Sequence, residues 1–189
     1  MNVKSLLPAC LIIMLASCSG NKEKKFEQQD KSYYPIGSFI RTELNMVDSL
    51  PIAVFKYTTR DQKTDTQLIT KPDFRKVAES FLLPDITVDP LKKKYKETVF
   101  MDATINTVTF SYVTDDASAE IRKIDVFINP ETDKVKNIYV EKMIRGGDSS
   151  VTQKMIWIAG KHFQVSTLVT HKDKAEESRQ EKYSWDMNQ

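Results

Sequence analysis

Ile124-Asp125-Val126-Phe127-Ile128, Ile138-Tyr139-Val140 and Met155-Ile156-Trp157-Ile158 are the segments from which the fold of this chain is read. Each is short and rich in β-branched and aromatic residues, the composition of a strand buried on at least one side. The breaks around them have turn chemistry: Asn129-Pro130-Glu131-Thr132-Asp133, then Gly146-Gly147-Asp148, then Gly160-Lys161. Connections this short force antiparallel neighbours, because a parallel crossover needs a dozen or more residues.

Outward from these segments the period of two holds from Tyr95 almost to the C-terminus, predicting strands at 95–103, 105–114, 120–128, 135–144, 151–159, 162–170 and 180–186. Before Tyr95 the period is helical. Ile36, Phe39, Ile40, Leu44, Val47 and Leu50 fall at three-and-four spacing, and Pro51 ends the run. A second helix starts at Thr70, three residues before Asp73 with Pro72 in its first turn. Its apolar face is Phe74, Val77, Ala78, Phe81 and Leu82, and Pro84 stops it. Between the helices Ile52–Tyr57 reads as a strand that returns through the polar turn Arg60–Asp65 to Gln67-Leu68-Ile69. The expected class is α+β, with N-terminal helices packed on a long, curved antiparallel meander of about seven strands.

Alternation along the strands sorts their side chains onto two faces. Counted by residue number, Ile124, Val126, Ile128, Ile138, Val140, Ile144, Ile156 and Ile158 share one parity, and Phe127, Tyr139, Met143, Met155 and Trp157 share the other. The aliphatic set suits a core layer. The second set has two readings: a layer packed under the helices, or a binding face for a protein or a small apolar ligand, since Met, Tyr and Trp suit adaptable recognition.

The first 18 residues belong to a different problem. Lys4 precedes the apolar run Leu6–Leu15, which is shorter than the roughly 20 residues of a membrane-spanning helix and has the build of an export signal. Leu15-Ala16-Ser17-Cys18 resembles the lipobox of bacterial lipoproteins, position by position. That resemblance implies cleavage between Ser17 and Cys18, with Cys18 carrying the lipid, so the membrane becomes a partner through the anchor. Ser19 and Gly20 differ from the Asp that retains enteric lipoproteins in the inner membrane, which implies the outer membrane. The expected organisation is a signal peptide over 1–17, a lipidated Cys and polar tether over 18–32, and one domain over 33–189. Asn21–Lys25 and Glu27–Lys31 are too polar to bury a core of their own.

Composition excludes several functions. The formal net charge is +2, without the basic excess typical of nucleic-acid binders. Of two cysteines, Cys10 leaves with the expected signal and Cys18 is consumed by the lipid, so no disulfide, thiol nucleophile or cysteine-held metal is expected. His162 and His171 lack the spacing of a helical zinc motif, and no Gly-rich turn offers a phosphate cradle. Asp102 with Glu141 is a conceivable acid–base pair. Asp115, Asp116 and Glu120, or Glu131 with Asp133, are conceivable calcium ligands without the loop spacing of a dedicated site. No catalytic residue, cofactor or metal site is expected. The sequence reading is a lipid-anchored, non-catalytic envelope protein that binds another envelope protein, with a carrier or sensor of a small apolar ligand in a helix/sheet cleft as the alternative, and an envelope hydrolase third.

Overall fold

The computed structural model describes residues 33–81 and 85–185; the expected signal, Ser17, Cys18 and the tether lie outside them. Helix α1 spans Ile36–Ser49 and is followed by strands β1, Val54–Arg60, and β2, Lys63–Ile69. Helix α2, Lys71–Ala78, runs on into a 3-10 turn at Glu79–Phe81, and a second 3-10 turn, Leu91–Lys94, leads to the remaining strands. These are β3, Lys96–Asp102; β4, Thr107–Val113; β5, Ile121–Ile128; β6, Val135–Arg145; β7, Ser149–Ile158; β8, His162–His171; and β9, Glu177–Ser184. All join one antiparallel sheet in the order β2-β1-β9-β8-β7-β6-β5-β4-β3.

Among the described residues the fold is therefore mostly sheet, with nine strands where the meander alone predicts about seven. Strands β3–β9 are that meander, each paired with its neighbour in the chain. The two additional strands are the β1–β2 hairpin, which attaches because β1 pairs with β9, Phe55 opposite Ser184 and Thr59 opposite Gln180. Its turn is tighter than the sequence suggests: Asp61 and Gln62 both have positive φ, 46° and 64°, and Arg60 pairs directly with Lys63. Two left-handed residues in a two-residue loop match the right-handed twist of the strands they join.

Local signals fix the helix ends. Thr70 accepts a hydrogen bond from the Asp73 backbone N–H at 3.3 Å, and its hydroxyl donates to the Asp73 carboxylate at 2.6 Å. Helix α1 has no side-chain N-cap, and as a 14-residue segment it is marginal alone in water. Packing holds it. Ile36, Ile40, Leu44 and Val47 are buried on one face, a gross gain of about 6–12 kcal/mol at roughly 1.5–3 kcal/mol per side chain. Arg75 of α2 ties the two helices together through Asp48 and Asn45.

Both helices contribute to the same core. A row of directly paired residues crosses the sheet from Val126 through Ile138, Trp157 and Phe163 to Tyr183. A second row runs from Ile124 through Val140 and Met155 to Val165. Paired residues share a face, so these rows are the helix-covered side, and every member is buried. Phe74 and Phe81 complete an aromatic cluster in which Trp157 stacks on Phe163 at 5.1 Å and meets Phe81 edge-on at 5.3 Å.

These rows correct the parity sorting of the sequence reading. Ile138 pairs with Trp157 and Tyr139 with Ile156, so Met155 and Trp157 lie with the aliphatic core, while Ile156 and Ile158 lie on the opposite, open face. The cause is the β6–β7 turn. Its end pair, Arg145 with Ser150, encloses Gly146, Gly147, Asp148 and Ser149, an even number, which exchanges odd and even between the strands. The β7–β8 pair Ile158 with His162 encloses the odd number Ala159, Gly160 and Lys161 and keeps parity.

Candidate interaction surface

The five residues proposed from sequence as one binding face are divided between the two sides of the sheet. Met155 and Trp157 are 1% and 0% exposed under the helices. Phe127, Tyr139 and Met143 are half-buried on the open face. The space between helices and sheet is filled by Trp157, Trp185, Phe74, Phe163, Ile40 and Leu44, all essentially inaccessible.

The open face around Tyr139 is a satisfied polar row. The Ser111 hydroxyl donates to Asp125 at 2.6 Å, Lys123 pairs with Asp125 at 2.9 Å, and the Tyr139 hydroxyl donates to Glu141 at 3.2 Å. Burial, with help from the Glu141 carboxylate, raises the Tyr139 phenol above its ordinary pKa and keeps it a neutral donor. Farther along this face, Tyr57, Thr59, Gln164, Gln180 and Lys182 line a shallow depression of about 210 Å³. Met143 borders a wider one of about 370 Å³ at the β6–β7 turn.

The polar constellations raised from sequence are dispersed. His162 and His171 sit at opposite ends of β8, roughly 30 Å apart at 3.3 Å per residue. Strands β4 and β5 lie between Asp102 on β3 and Glu141 on β6. Asp115 and Asp116 are held by lysines: Lys96 at 2.7 Å and Lys94 at 2.9 Å. Among the described residues, no group of three or more His, Cys, Asp or Glu gathers in metal-binding geometry.

The surface that stands out is an edge. β3 ends the sheet, and Val99, Phe100 and Met101 are 51%, 65% and 47% exposed there. Ile105, at the tip of the β3–β4 turn, is 62% exposed. An edge strand presents unpaired backbone N–H and C=O groups, and sheets ordinarily protect such edges with charge, proline or a bulge. The other edge is protected in that way over most of its length: β2 carries Lys63, Thr64, Asp65, Thr66 and Gln67, with one strongly exposed apolar residue, Leu68, near its end. β3 has charge only at its ends, Lys96, Glu97 and Asp102, around an apolar centre. The period-two pattern predicts a strand at 95–103 but not its place in the sheet. The local signal for an edge is three consecutive apolar residues, Val99, Phe100 and Met101, which no single buried face of a strand requires.

The edge is firmly based. The Tyr33 hydroxyl lies 2.8 and 2.9 Å from the carbonyls of Lys92 and Tyr95, its ring stacks on Tyr112 at 4.7 Å, and the Tyr95 hydroxyl donates to the Ile121 carbonyl. The β4–β5 turn is fastened beside it: Asp116 accepts from the Ser118 hydroxyl and backbone, and Arg122 donates to the Asp116 carbonyl. The Ser118 hydroxyl first, then Lys94, holds the Asp116 carboxyl well below the usual carboxylate range. A lowered folded pKa stabilises above the unfolded value of about 4 and loses that contribution as pH falls through the folded one. Asp116→Asn is accordingly expected to lower the thermal midpoint at pH 7, with the difference from the parent shrinking on acidification below about pH 4. A pH-independent difference in a calorimetric series would contradict this. At the far end of β3, the Thr104 hydroxyl and then its backbone N–H lower the Asp102 pKa, so Asp102 stays ionised at neutral pH.

Comparison of the chain with protein-family models, with curated proteins and with solved structures finds no match.

Proposed function

We propose that this protein is a lipid-anchored component of the bacterial envelope, in the outer membrane, that acts as a non-catalytic binding module for a protein partner. The exposed apolar edge of β3 carries the reading. A strand paired on one side only offers main-chain hydrogen bonds on the other, and side chains such as Val99, Phe100 and Met101 add the apolar contacts of strand addition. The lipobox tetrad Leu15-Ala16-Ser17-Cys18 supports the anchor, and confinement at a membrane raises the effective concentration of a partner held there.

Two measurements test the two halves. Cys18→Ala is expected to leave the chain unprocessed or released, without acyl mass on its terminus; an unchanged acylated membrane fraction would overturn the anchor. A photoreactive residue at Phe100 is expected to capture protein in intact cells, and one at Thr64, on the polar edge, to capture far less. Equal, background-level yields at both positions would overturn the binding module.

A further inference from the structure

We infer that the occupant of the β3 edge is the β3 edge of a second copy of this chain, the two strands running antiparallel and centred on Val99. The inference rests on the binding-module reading and names its partner. Its basis is the self-complementarity of Lys96-Glu97-Thr98-Val99-Phe100-Met101-Asp102.

Antiparallel pairing of one strand with its own copy requires a two-fold axis perpendicular to the sheet, which keeps the helix-covered sides of both copies on the same side. Directly opposite residues share a face, so the axis must pass through a residue, which then meets itself. Only Val99 as that residue overlaps the whole of β3. Lys96 then faces Asp102 of the second copy, and symmetry repeats the pair at the other end. Thr98 faces Phe100, Glu97 faces Met101, and Val99 faces Val99. Centring on Phe100 instead places Asp102 opposite Thr98 and pushes Lys96 and Glu97 beyond the paired strand. The opposite charges set the register.

Both charges are available for this. Lys96 and its present partner Asp115 are about four-fifths exposed, so the ammonium can meet a second carboxylate without leaving a buried site. Asp102 is ionised at neutral pH for the reason given above. The sheet's other edge accounts for why pairing stops at two. Once the β3 edges are joined, the free edges are two copies of β2, where Lys63 and Asp65 place charges that oppose strand addition ahead of Leu68. A seven-residue edge is small beside stable interfaces of about 1,200–2,000 Å². Confinement of both copies to one membrane compensates through effective concentration.

Cysteine cross-linking of the full-length chain in intact cells tests the register, with the chain lacking an added cysteine as baseline. Under a mild thiol oxidant, Val99→Cys is expected to give a disulfide-linked dimer of this chain. Thr98→Cys and Phe100→Cys are each expected to give little alone but to link efficiently when coexpressed. Adding Val99→Lys to both partners of that mixed pair sets two ammonium groups opposite one another and is expected to reduce the yield by up to about fivefold. Self-linking of Phe100→Cys in preference to Val99→Cys would overturn the proposed register. Background yield of self-linked chain for all pairs, while a photoreactive Phe100 still captures another protein, would overturn the second copy and leave the binding module standing. Background yield with no capture at Phe100 would overturn both.

Discussion

Trp157→Ala is expected to lower the stability of the chain by about 3–5 kcal/mol, the cost typical of truncating a large buried aromatic side chain. Trp157 is 0% exposed, stacked on Phe163, edge-on to Phe81 and 5.2 Å from the Trp185 ring. Removing it opens a cavity where helix α1, the 3-10 turn after α2 and three strands meet. An ordinary domain has about 5–15 kcal/mol in total, so much of the folded population is at stake. Urea unfolding should show a large fall in midpoint for Trp157→Ala and a smaller one for Trp157→Phe, which keeps a stacked ring. Tyr139→Ala, on the open face, should cost about 1 kcal/mol, since the lost phenol is half-buried and bonded only to a neighbouring carboxylate. The reverse order, with Tyr139→Ala the more damaging, would mean that the two faces are exchanged.

That contrast also marks where the sequence could be read and where it could not. The start of the second helix was legible to the residue, because Thr70, Pro72 and Asp73 act within one turn and need no distant partner; its end was not, since the α-helix stops at Ala78 and gives way to a 3-10 turn, while Leu82 and Pro84 lie outside the described residues. Strands β3–β9 were legible because short turns make each the neighbour of the next. The pairing of β1 with β9 was not, since it joins residues more than a hundred positions apart and nothing local specifies it. Face assignment failed at one turn. The phase of β7 depends on whether an even or odd number of residues is enclosed after Arg145, and neither Gly146 nor Gly147 declares that count. The β3 edge was hidden for a related reason: Val99, Phe100 and Met101 are visible in the chain, but that β3 comes last in the order of the described strands is a property of the whole sheet.

Glu43→Ala is expected to cost about 2–4 kcal/mol, an unusual penalty for replacing a charged residue by alanine on a helix. Glu43 lies three residues after Ile40 and seven after Ile36, on the apolar face of α1, and is only 8% exposed. Its Oε2 accepts from the Trp157 indole N–H at 3.3 Å and from the Gly160 backbone N–H at 2.7 Å. Gly160 has φ 69°, the left-handed conformation in which glycine avoids the strain of a side chain. One carboxylate therefore fastens α1 to both the core tryptophan and the β7–β8 turn. Alanine would strand two donors, and an unsatisfied buried donor costs about 1–3 kcal/mol. Glu43→Gln retains an acceptor oxygen and should recover most of the loss. The decisive comparison is a double-mutant cycle with Trp157→Phe, which deletes the indole donor. If the hydrogen bond contributes as described, the double variant is less destabilised than the sum of the singles, by about 0.5–3 kcal/mol. Strict additivity would show that Glu43 and Trp157 stabilise the protein independently, leaving the Gly160 amide as the group that requires the carboxylate.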